Sequence, residues 1–145
     1  MQRVERASVA IEGDVAGDIG RGVVVLVGVT HEDGTPEARW LADKVANLRI
    51  FNDAEGKMNR SLLESGGEAL VVSQFTLYGD ARRGRRPSFI HAAQGEEARA
   101  IYDAVVSGLR DTGVRVTTGR FGATMMVSLV NDGPVTILLD SDKTF

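Results

Sequence analysis

The sequence of 145 residues contains no cysteine. This absence excludes disulfide bonds, thiolate nucleophiles and cysteine-ligated zinc. The two histidines, His31 and His91, are too few and too isolated to form a metal-binding cluster. The sequence therefore predicts no metal site.

Long apolar runs are also missing. No apolar stretch approaches the roughly 18 residues that a membrane-spanning helix needs. The first nine residues, MQRVERASV, carry charges at positions 3, 5 and 6 and lack the apolar segment of a signal peptide. These features predict a protein that does not contact a membrane and is located in the cytoplasm.

Neither sign of charge dominates, because the formal net charge at pH 7 is only -3. A general coat for nucleic acid is therefore excluded, and any contact with nucleic acid must come from a local basic patch. Apolar residues make up 43% and charged residues 26% of the chain, as in ordinary globular proteins, and 17 glycines indicate many turns. Length and composition predict one domain, residues 1–145, with a buried core.

Hydrophobic periodicity predicts an α+β domain whose strands outnumber its two main helices. Thr35 has the properties of an N-cap, and Pro36 those of a first helical residue. The segment 52–67 is predicted to be mostly turn. The predicted strands are residues 3–11, 15–19, 22–29, 69–78 and 114–118, and the predicted helices run from 35 to about 49 and from 96 to 111.

Residues 125–140, MMVSLVNDGPVTILLD, contain two apolar runs separated by Asn131, Asp132 and Gly133. These three residues tolerate the positive φ angles of tight turns, so the segment predicts an antiparallel hairpin. Pro134 lacks a backbone N–H, which suits the first residue of a strand, a bulge or an edge. Most X-Pro bonds in folded proteins are trans, which favours an ordinary turn proline. The alternative is a fixed cis Gly133-Pro134 pair that faces a ligand, and the sequence of this segment is compatible with both.

Ser73, Gln74, Phe75 and Thr76 interrupt a run that otherwise has the pattern of a buried strand. In a regular strand Ser73 and Thr76 point to opposite faces, which argues against a paired hydroxyl site unless the strand ends here. The segment lacks the G-x-S-x-G pattern and an adjacent base, so a serine-hydrolase triad is weakly supported. It is either a site or a strand end whose polar groups bind neighbouring backbone.

A basic loop follows this segment. Residues 82–86, RRGRR, place four arginines in five positions, and Phe89 comes three residues later. This combination suits phosphate groups and one stacked base at the end of a nucleic acid. An exposed charged run is more often solvated surface, so the loop needs a second observation.

Six segments spread over nearly the whole chain form a larger pattern. They are QRVERASV near the start, RIFNDAEGKMN at 49–59, VVSQFTLYGD at 71–80, RGRRPSF at 83–89, TGRFGA at 118–123 and VSLVNDGPVT at 127–136. In this order they resemble the D-aminoacyl-tRNA deacylase family. SQFT and NDGPVT together are highly specific, whereas either one alone is weak.

The resemblance implies an α+β fold with a mostly antiparallel, barrel-like sheet, in a homodimer whose sites lie at the subunit interface. It implies an enzyme that hydrolyses the ester between a D-amino acid, or glycine, and the 3′-terminal adenosine of tRNA, with no metal or cofactor. In this scheme a cis Gly133-Pro134 pair reaches into the partner subunit's pocket, and Phe89 packs near the terminal adenine. The implied site residues are Ser73, Gln74, Phe75 and Thr76 around the ester, Gly133, Pro134, Asn131 and Arg3 for substrate binding and rejection of L-amino acids, and Arg83, Arg86 and Phe89 for tRNA.

A physical mechanism fits these residues. If backbone groups of a fixed Gly133-Pro134 pair meet the substrate at Cα, an L side chain collides with them, whereas a D side chain or glycine does not. Backbone N–H groups around Phe75 and Thr76 could stabilise the oxyanion while the adenosine 2′-hydroxyl helps the water. A covalent Thr76 nucleophile is the competing mechanism, weakened by the lack of an adjacent base. Two other functions stay open: a general Ser/Thr esterase or amidase for small molecules, and a non-catalytic binder of RNA ends.

Overall fold

The computed structural model, which describes residues 1–145, contains eight strands, three α-helices and one short 3-10 helix. None of the helices combines the length and the apolar character needed to traverse a membrane. The strands are β1 (Gln2–Ile11), β2 (Asp14–Ile19), β3 (Gly22–Val27), β4 (Phe51–Asn52), β5 (Met58–Arg60), β6 (Glu68–Ser73), β7 (Arg115–Thr118) and β8 (Met126–Thr136). The helices are α1 (Thr35–Asn47), α2 (Leu62–Ser65) and α3 (Gly95–Asp111), and the 3-10 helix spans Phe75–Tyr78.

Strand β1 organises the main sheet because it pairs with three other strands, all antiparallel. Its first part pairs with β3 and its last part with β2, so these two share one edge, while β8 pairs along the other edge. Strands β6 and β7 then extend the sheet from β3 in parallel. Gly17 of β2 lies against Thr117 of β7 with no room for a side chain, which nearly closes the sheet. The expected barrel-like, mostly antiparallel α+β fold is confirmed.

The alternation of side chains along β3 and β6 divides the core into two parts. Val25 and Val71 pack with residues of α1 and α3 on one face of the sheet. Val24 and Leu70 point to the other face, where they meet side chains of β1 and β8. Both strands are therefore buried on both faces, as their continuous apolar runs predict.

Helix α1 differs from its prediction at the cap. The N-cap is Gly34 and not Thr35, because the Glu37 carboxylate accepts the Gly34 N–H at 2.9 Å and the chain is already helical at Thr35. The helix buries Ala38, Ala42, Val45 and Ala46. One of them, Ala42, packs so closely on α3 that a Cβ at Gly108 would lie 3.1 Å from its own Cβ.

The predicted strand at 69–78 is wrong in its last five residues. Strand β6 ends at Ser73, and the chain turns into the 3-10 helix. The Gln74 N–H donates to the Val27 carbonyl, where β3 also ends, at 2.7 Å. Gly28 then leaves room for the helix, since a Cβ there would lie 3.2 Å from the Leu77 Cβ. The regular side-chain alternation of a strand therefore stops at Ser73.

The predicted hairpin at 125–140 is also wrong. Residues 126–136 form the single strand β8, which pairs with β1 over most of its length. Asn131 is opposite Val4 and Thr136 is opposite Gln2, so residues 132–135 bulge out against a short step of β1. Polar, turn-forming residues make a bulge here because β1 supplies a continuous partner on both sides of them.

The segment 52–67 is more ordered than predicted. Strands β4 and β5 form a short antiparallel hairpin, and α2 follows it. Ser61 caps α2 by accepting the Glu64 N–H at 3.1 Å, while the Glu64 carboxylate accepts the Ser61 N–H at 2.7 Å. This reciprocal pair is an S-x-x-E capping box, a signal present in the sequence.

Candidate active site

A cavity opens where β6 and β7 separate. Strand β7 pairs with β6 only as far as Thr118, which is opposite Val71, so the last two residues of β6 have no partner on that side. The chain then crosses to β8 through residues 119–125. The space between this crossing segment and the end of β6 has a volume of about 460 Å³.

The lining of this cavity is largely apolar, with polar groups from the end of β6. Aromatic and aliphatic side chains come from β3, α3 and the crossing segment. The SQFT segment supplies Ser73, Gln74 and Phe75, whereas its fourth residue, Thr76, is exposed and lies outside the lining. The residues that line it are Val27, Val29, Val72, Ser73, Gln74, Phe75, Ala93, Gln94, Gly95, Ala98, Tyr102, Phe121, Gly122, Ala123, Thr124, Met125 and Val127. No Asp, Glu, His, Lys or Arg is among them, so no side chain at the cavity can serve as a general base at neutral pH.

The backbone of the SQFT segment presents hydrogen-bond donors. The first hydrogen bond of the 3-10 helix is donated by the Leu77 N–H to the Gln74 carbonyl at 3.2 Å. The N–H groups of Phe75 and Thr76 precede that bond and have no partner within the helix. The Gln74 side-chain amide donates to the Thr76 hydroxyl. Because an amide cannot take up a proton, this contact orients Thr76 without activating it as a nucleophile.

Tyr102 of α3 supports the inner wall of the cavity. Its hydroxyl donates to the Val71 carbonyl at 2.9 Å, two residues before Ser73, and its ring lies 5.7 Å from that of Phe121. Burial raises the pKa of Tyr102 to about 12, so the hydroxyl remains a donor even at pH values where a free phenol ionises. The hydrogen bond from Tyr102 to Val71 therefore holds the end of β6 in place at the residue where the pairing with β7 stops.

Phe89 is not part of the cavity lining. Its ring packs edge to face on Phe75, which does line the cavity, with 5.2 Å between the ring centroids. The predicted place beside a terminal adenine remains a prediction, because the contact of Phe89 with the cavity runs through Phe75.

The Gly133-Pro134 peptide bond is cis, which agrees with one of the two alternatives left open by the sequence. Neither residue lines the cavity next to SQFT in the same chain. Buried Arg3 holds this segment, since its Nε donates to the Asp132 carbonyl at 3.0 Å and lies 3.2 Å from the Asp132 carboxylate. Asn131 is exposed and pairs with Val4 at the start of the bulge.

The arginine loop is exposed, but its arginines are not equivalent. Arg82 donates two side-chain N–H groups to the Asp80 carboxylate, at 2.8 and 2.7 Å, and these bonds hold the pKa of Asp80 well below its usual range. The backbones of Asp80 and Ser88 exchange two hydrogen bonds that close the base of the loop, at 2.8 and 2.9 Å. Arg83 and Arg86 make no ion pair and point from a closed loop into solvent.

The histidines lie away from the cavity. His31 and His91 line a separate open groove, together with Asp80, Arg82 and the end of the 3-10 helix. His31 contacts Glu97 at 3.8 Å and the Ile90 carbonyl at 3.3 Å. A serine-hydrolase triad that combines Ser73 with either histidine is therefore not assembled.

Comparison with known proteins gives the same family as the sequence motifs. A family model described as D-Tyr-tRNA(Tyr) deacylase matches residues 1–140. The chain is 60% identical to a D-aminoacyl-tRNA deacylase of Symbiobacterium thermophilum, over 100% of this chain and 96% of the relative. It is 62% identical to a D-aminoacyl-tRNA deacylase of Thermomicrobium roseum, over 97% of this chain and 92% of the relative. The chain belongs to the D-Tyr-tRNA(Tyr) deacylase family.

Solved structures share the deacylase fold of this chain. A c-Myc DNA unwinding element binding protein has a TM-score of 0.90 at 42% identity, with 97% of this chain and 95% of that chain covered. A probable eukaryotic D-amino acid tRNA deacylase has a TM-score of 0.78 at 20% identity, with 92% of each chain covered, and shows the fold alone.

The deacylase cavity includes residues that sequence reasoning missed. Tyr102 is one of the apolar residues of the α3 pattern and carries no separate signal of a site. Phe121 lies in the TGRFGA segment, which marks the family but was given no role. Met125 was placed in the predicted hairpin, and only the crossing of residues 119–125 shows that it faces the cavity.

Proposed function

We propose that this protein hydrolyses the ester bond that joins a D-amino acid to the 3′-terminal adenosine of tRNA. Water adds to the ester carbonyl, the bond to the ribose oxygen breaks, and free amino acid and tRNA are released. The observation that carries the proposal is a cavity without a charged side chain, lined by Phe75, at the point where the backbone N–H groups of Phe75 and the adjoining Thr76 take no part in the 3-10 helix. Membership of the deacylase family supports the same reaction.

The chemistry suits such a cavity because an aminoacyl ester is already activated. The N–H groups of Phe75 and Thr76 stabilise the negative charge that develops on the carbonyl oxygen. The 2′-hydroxyl of the adenosine assists the attacking water, since no side chain of the cavity can act as base. Ser73 and Gln74 orient the ester through hydrogen bonds, and Phe121 and Met125 supply apolar surface for the adenosine. Thr76 supports Gln74 from outside the cavity, because its hydroxyl accepts the Gln74 side-chain amide.

Discrimination between D- and L-amino acids depends on Gly133 and Pro134 in this proposal. Their backbone meets the substrate at Cα, where an L side chain collides with it, while a D side chain or the hydrogen of glycine is accepted. The same geometry extends the substrates to mischarged glycyl-tRNA. Arg3 and Asn131 keep this backbone in place.

The proposal requires a homodimer, because Gly133 and Pro134 do not line the cavity of their own chain. The partner subunit supplies them, so each site is completed at the interface. Exposed apolar side chains on β8 and next to SQFT support such an interface, since a monomer leaves them in water. They include Met126 and Val130 of β8, Leu138 just after it, and Phe75 and Leu77 of the 3-10 helix.

The tRNA is held outside the cavity by the basic loop. Arg83 and Arg86 contact phosphates near the 3′ end, and Phe89 supports the wall where the terminal adenine lies. A cytoplasmic location follows from this substrate.

The proposal is tested by incubating the purified protein with D-Tyr-tRNA and L-Tyr-tRNA in parallel. Rapid release of D-tyrosine and slow release of L-tyrosine is the expected result. Equal cleavage of a small D-tyrosine ester and of D-Tyr-tRNA would indicate a general esterase, and tight tRNA binding without cleavage would indicate a binder of RNA ends. Sedimentation of the active protein checks the dimer, and a fully active monomer contradicts it.

A further inference from the structure

Arg3 connects two parts of the chain that lie far apart in sequence. One is the β8 bulge, residues 132–135, and the other is the 49–60 hairpin, which consists of β4, β5 and the residues that flank them. The Arg3 side chain is only 7% exposed. One terminal nitrogen of its guanidinium donates to the Ile50 carbonyl at 2.6 Å, while its Nε donates to the Asp132 carbonyl at 3.0 Å.

The side of Arg3 that faces the hairpin has a second contact. The nitrogen that binds the Ile50 carbonyl also lies 3.5 Å from Oδ1 of Asn52. On its opposite side the guanidinium is so close to the bulge that a Cβ at Gly133 would lie 3.3 Å from it. The guanidinium therefore fills the space between the hairpin and the bulge.

The 49–60 hairpin is itself braced by side chains. Arg49 donates to the backbone carbonyl of Asn59 at 2.7 Å and to its side-chain oxygen at 2.8 Å. The Asn59 amide donates to the Asp53 carboxylate at 2.7 Å. Asp53 also accepts the N–H groups of Glu55 and Lys57, both at 2.9 Å. Asn59 thus joins both ends of the hairpin, and neither it nor any other hairpin residue lines the cavity.

A buried guanidinium group holds the groups that it binds in fixed relative positions. Its charge must be satisfied on every side, and its planar fork fixes the directions of its partners. If the Ile50 carbonyl or the Asn52 side chain moves, Arg3 must follow it or lose a bond. The Asp132 carbonyl and the neighbouring Gly133 then move as well.

We propose that the 49–60 hairpin positions Gly133 and Pro134 through Arg3, and that Asn52 and Asn59 are positioning residues for the discrimination between D- and L-aminoacyl-tRNA. This inference rests on the proposed function of Gly133 and Pro134. It gives a role to the RIFNDAEGKMN segment, which otherwise takes no part in the site.

The test compares the ratio of kcat/KM for D-Tyr-tRNA to that for L-Tyr-tRNA in a set of variants. Asn52→Ala removes the side-chain acceptor, and Asn59→Ala removes the brace of the hairpin. Asn52→Asp keeps an oxygen acceptor for Arg3 and serves as the conservative rescue. Glu55→Ala is the matched control, because the Glu55 side chain pairs only with Lys57 at the surface of the same hairpin, at 3.0 Å.

We expect Asn52→Ala and Asn59→Ala to lower the ratio about three- to tenfold, as the weakening of a hydrogen bond to a charged group should. Asn52→Asp and Glu55→Ala should keep the ratio of the unmodified protein. The loss should arise mainly from faster cleavage of L-Tyr-tRNA. A variant that only destabilises the fold lowers the melting temperature and leaves the ratio unchanged.

An Arg3→Lys variant separates this inference from the proposed function. Lysine keeps the charge but cannot bridge the hairpin and the bulge. If Arg3→Lys lowers the ratio while Asn52→Ala and Asn59→Ala do not, the hairpin has no positioning role and the proposed function stands. If Arg3→Lys also leaves the ratio unchanged, the bulge does not set discrimination, and both proposals are overturned on that point.

Discussion

The ring of Phe89 meets the ring of Phe75 edge to face, with 71° between the ring planes. Gly79 permits this contact, because a Cβ there would lie 3.0 Å from the Phe89 ring and 2.9 Å from the Thr76 carbonyl. Phe89 follows Ser88, which closes the base of the arginine loop. The Phe75–Phe89 pair therefore joins the arginine loop to the wall of the cavity.

We expect Phe75 and Phe89 to be energetically coupled. A double-mutant cycle with Phe75→Leu and Phe89→Leu should give a coupling free energy of about 0.5 to 1.5 kcal/mol in denaturant unfolding, the range for aromatic pairs. Phe89→Leu should also raise KM for D-Tyr-tRNA, because the Phe75 ring loses its support. Additive stabilities in the cycle would show that the two rings are independent.

Replacing the hydroxyl residues of the SQFT segment should leave measurable activity. Thr76→Ala and Ser73→Ala should each lower kcat by about ten- to a hundredfold, since the first loses the contact with the Gln74 side chain, the second loses a hydroxyl of the cavity wall, and both keep the backbone donors. Loss of a covalent nucleophile would lower kcat by about 10⁴-fold or more. Single-turnover deacylation distinguishes the two, and an inactive Thr76→Ala protein that still binds tRNA would contradict the backbone mechanism.

Arg83 and Arg86 should contribute to tRNA affinity through phosphates. Neutralising both to Gln should raise KM and flatten the slope of log KM against log salt by about 1.4 to 1.8, the loss of two phosphate contacts. The D to L ratio should change little. A control with Arg39→Gln and Lys57→Gln makes the same change in net charge at other exposed positions. Equal slopes in the two proteins would assign the arginine loop to solvated surface.

The strands and main helices were predictable because their signals are local. The apolar runs of β3 and β6 and the three- to four-residue spacing along α3 report burial directly. The residues at which these strands and helices end were less predictable. Nothing in the sequence near Ser73 shows that the Val27 carbonyl captures the Gln74 N–H, and this nonlocal bond ends the strand.

The role of the NDGP segment was predictable only in part. Its turn residues identified a break in regular structure, but a hairpin and a bulge have the same local signature. The choice depends on β1, more than a hundred residues earlier, which pairs with both halves of β8. The cavity wall from Tyr102, Phe121 and Met125 was missed for a similar reason, since it is assembled by α3 and the chain crossing after β7.

A side chain at Gly133 should disturb the bulge without unfolding the sheet. Gly133 has a φ of 128°, and a Cβ would lie 2.8 Å from the Val135 side chain and 3.0 Å from its backbone nitrogen. Gly133→Ala should therefore lower discrimination against L-Tyr-tRNA or abolish turnover, while circular dichroism remains that of the folded protein. Ser107→Ala, at an exposed position of α3, is the control and should discriminate normally.

Both tyrosines of the chain should ionise at a higher pH than a free tyrosine does. Burial raises the pKa of Tyr78 and of Tyr102 to about 12, from 10.0 in an unstructured chain. Because the folded-state values are higher, the stability that the neutral phenols contribute is fully present below pH 10 and is lost as the pH rises toward 12. Absorbance at about 295 nm, the phenolate band that reports tyrosine ionisation, should stay flat through pH 10 in the folded protein and rise there in denaturant. A normal titration before unfolding would show that the phenols are exposed.

The pairing of β1 with β8 sets the order in which the barrel can form on the ribosome. Met1 and Ile137, which are 136 positions apart, exchange two backbone hydrogen bonds of 2.6 and 2.9 Å. Strands β2 and β3 can pair with β1 as soon as they are made, but its other edge waits for residues 126–136. An uncovered edge invites pairing with other chains, and contacts between distant residues form slowly. A nascent chain thus carries the open edge of β1 through most of its synthesis, and that edge is covered only when β8 pairs with it.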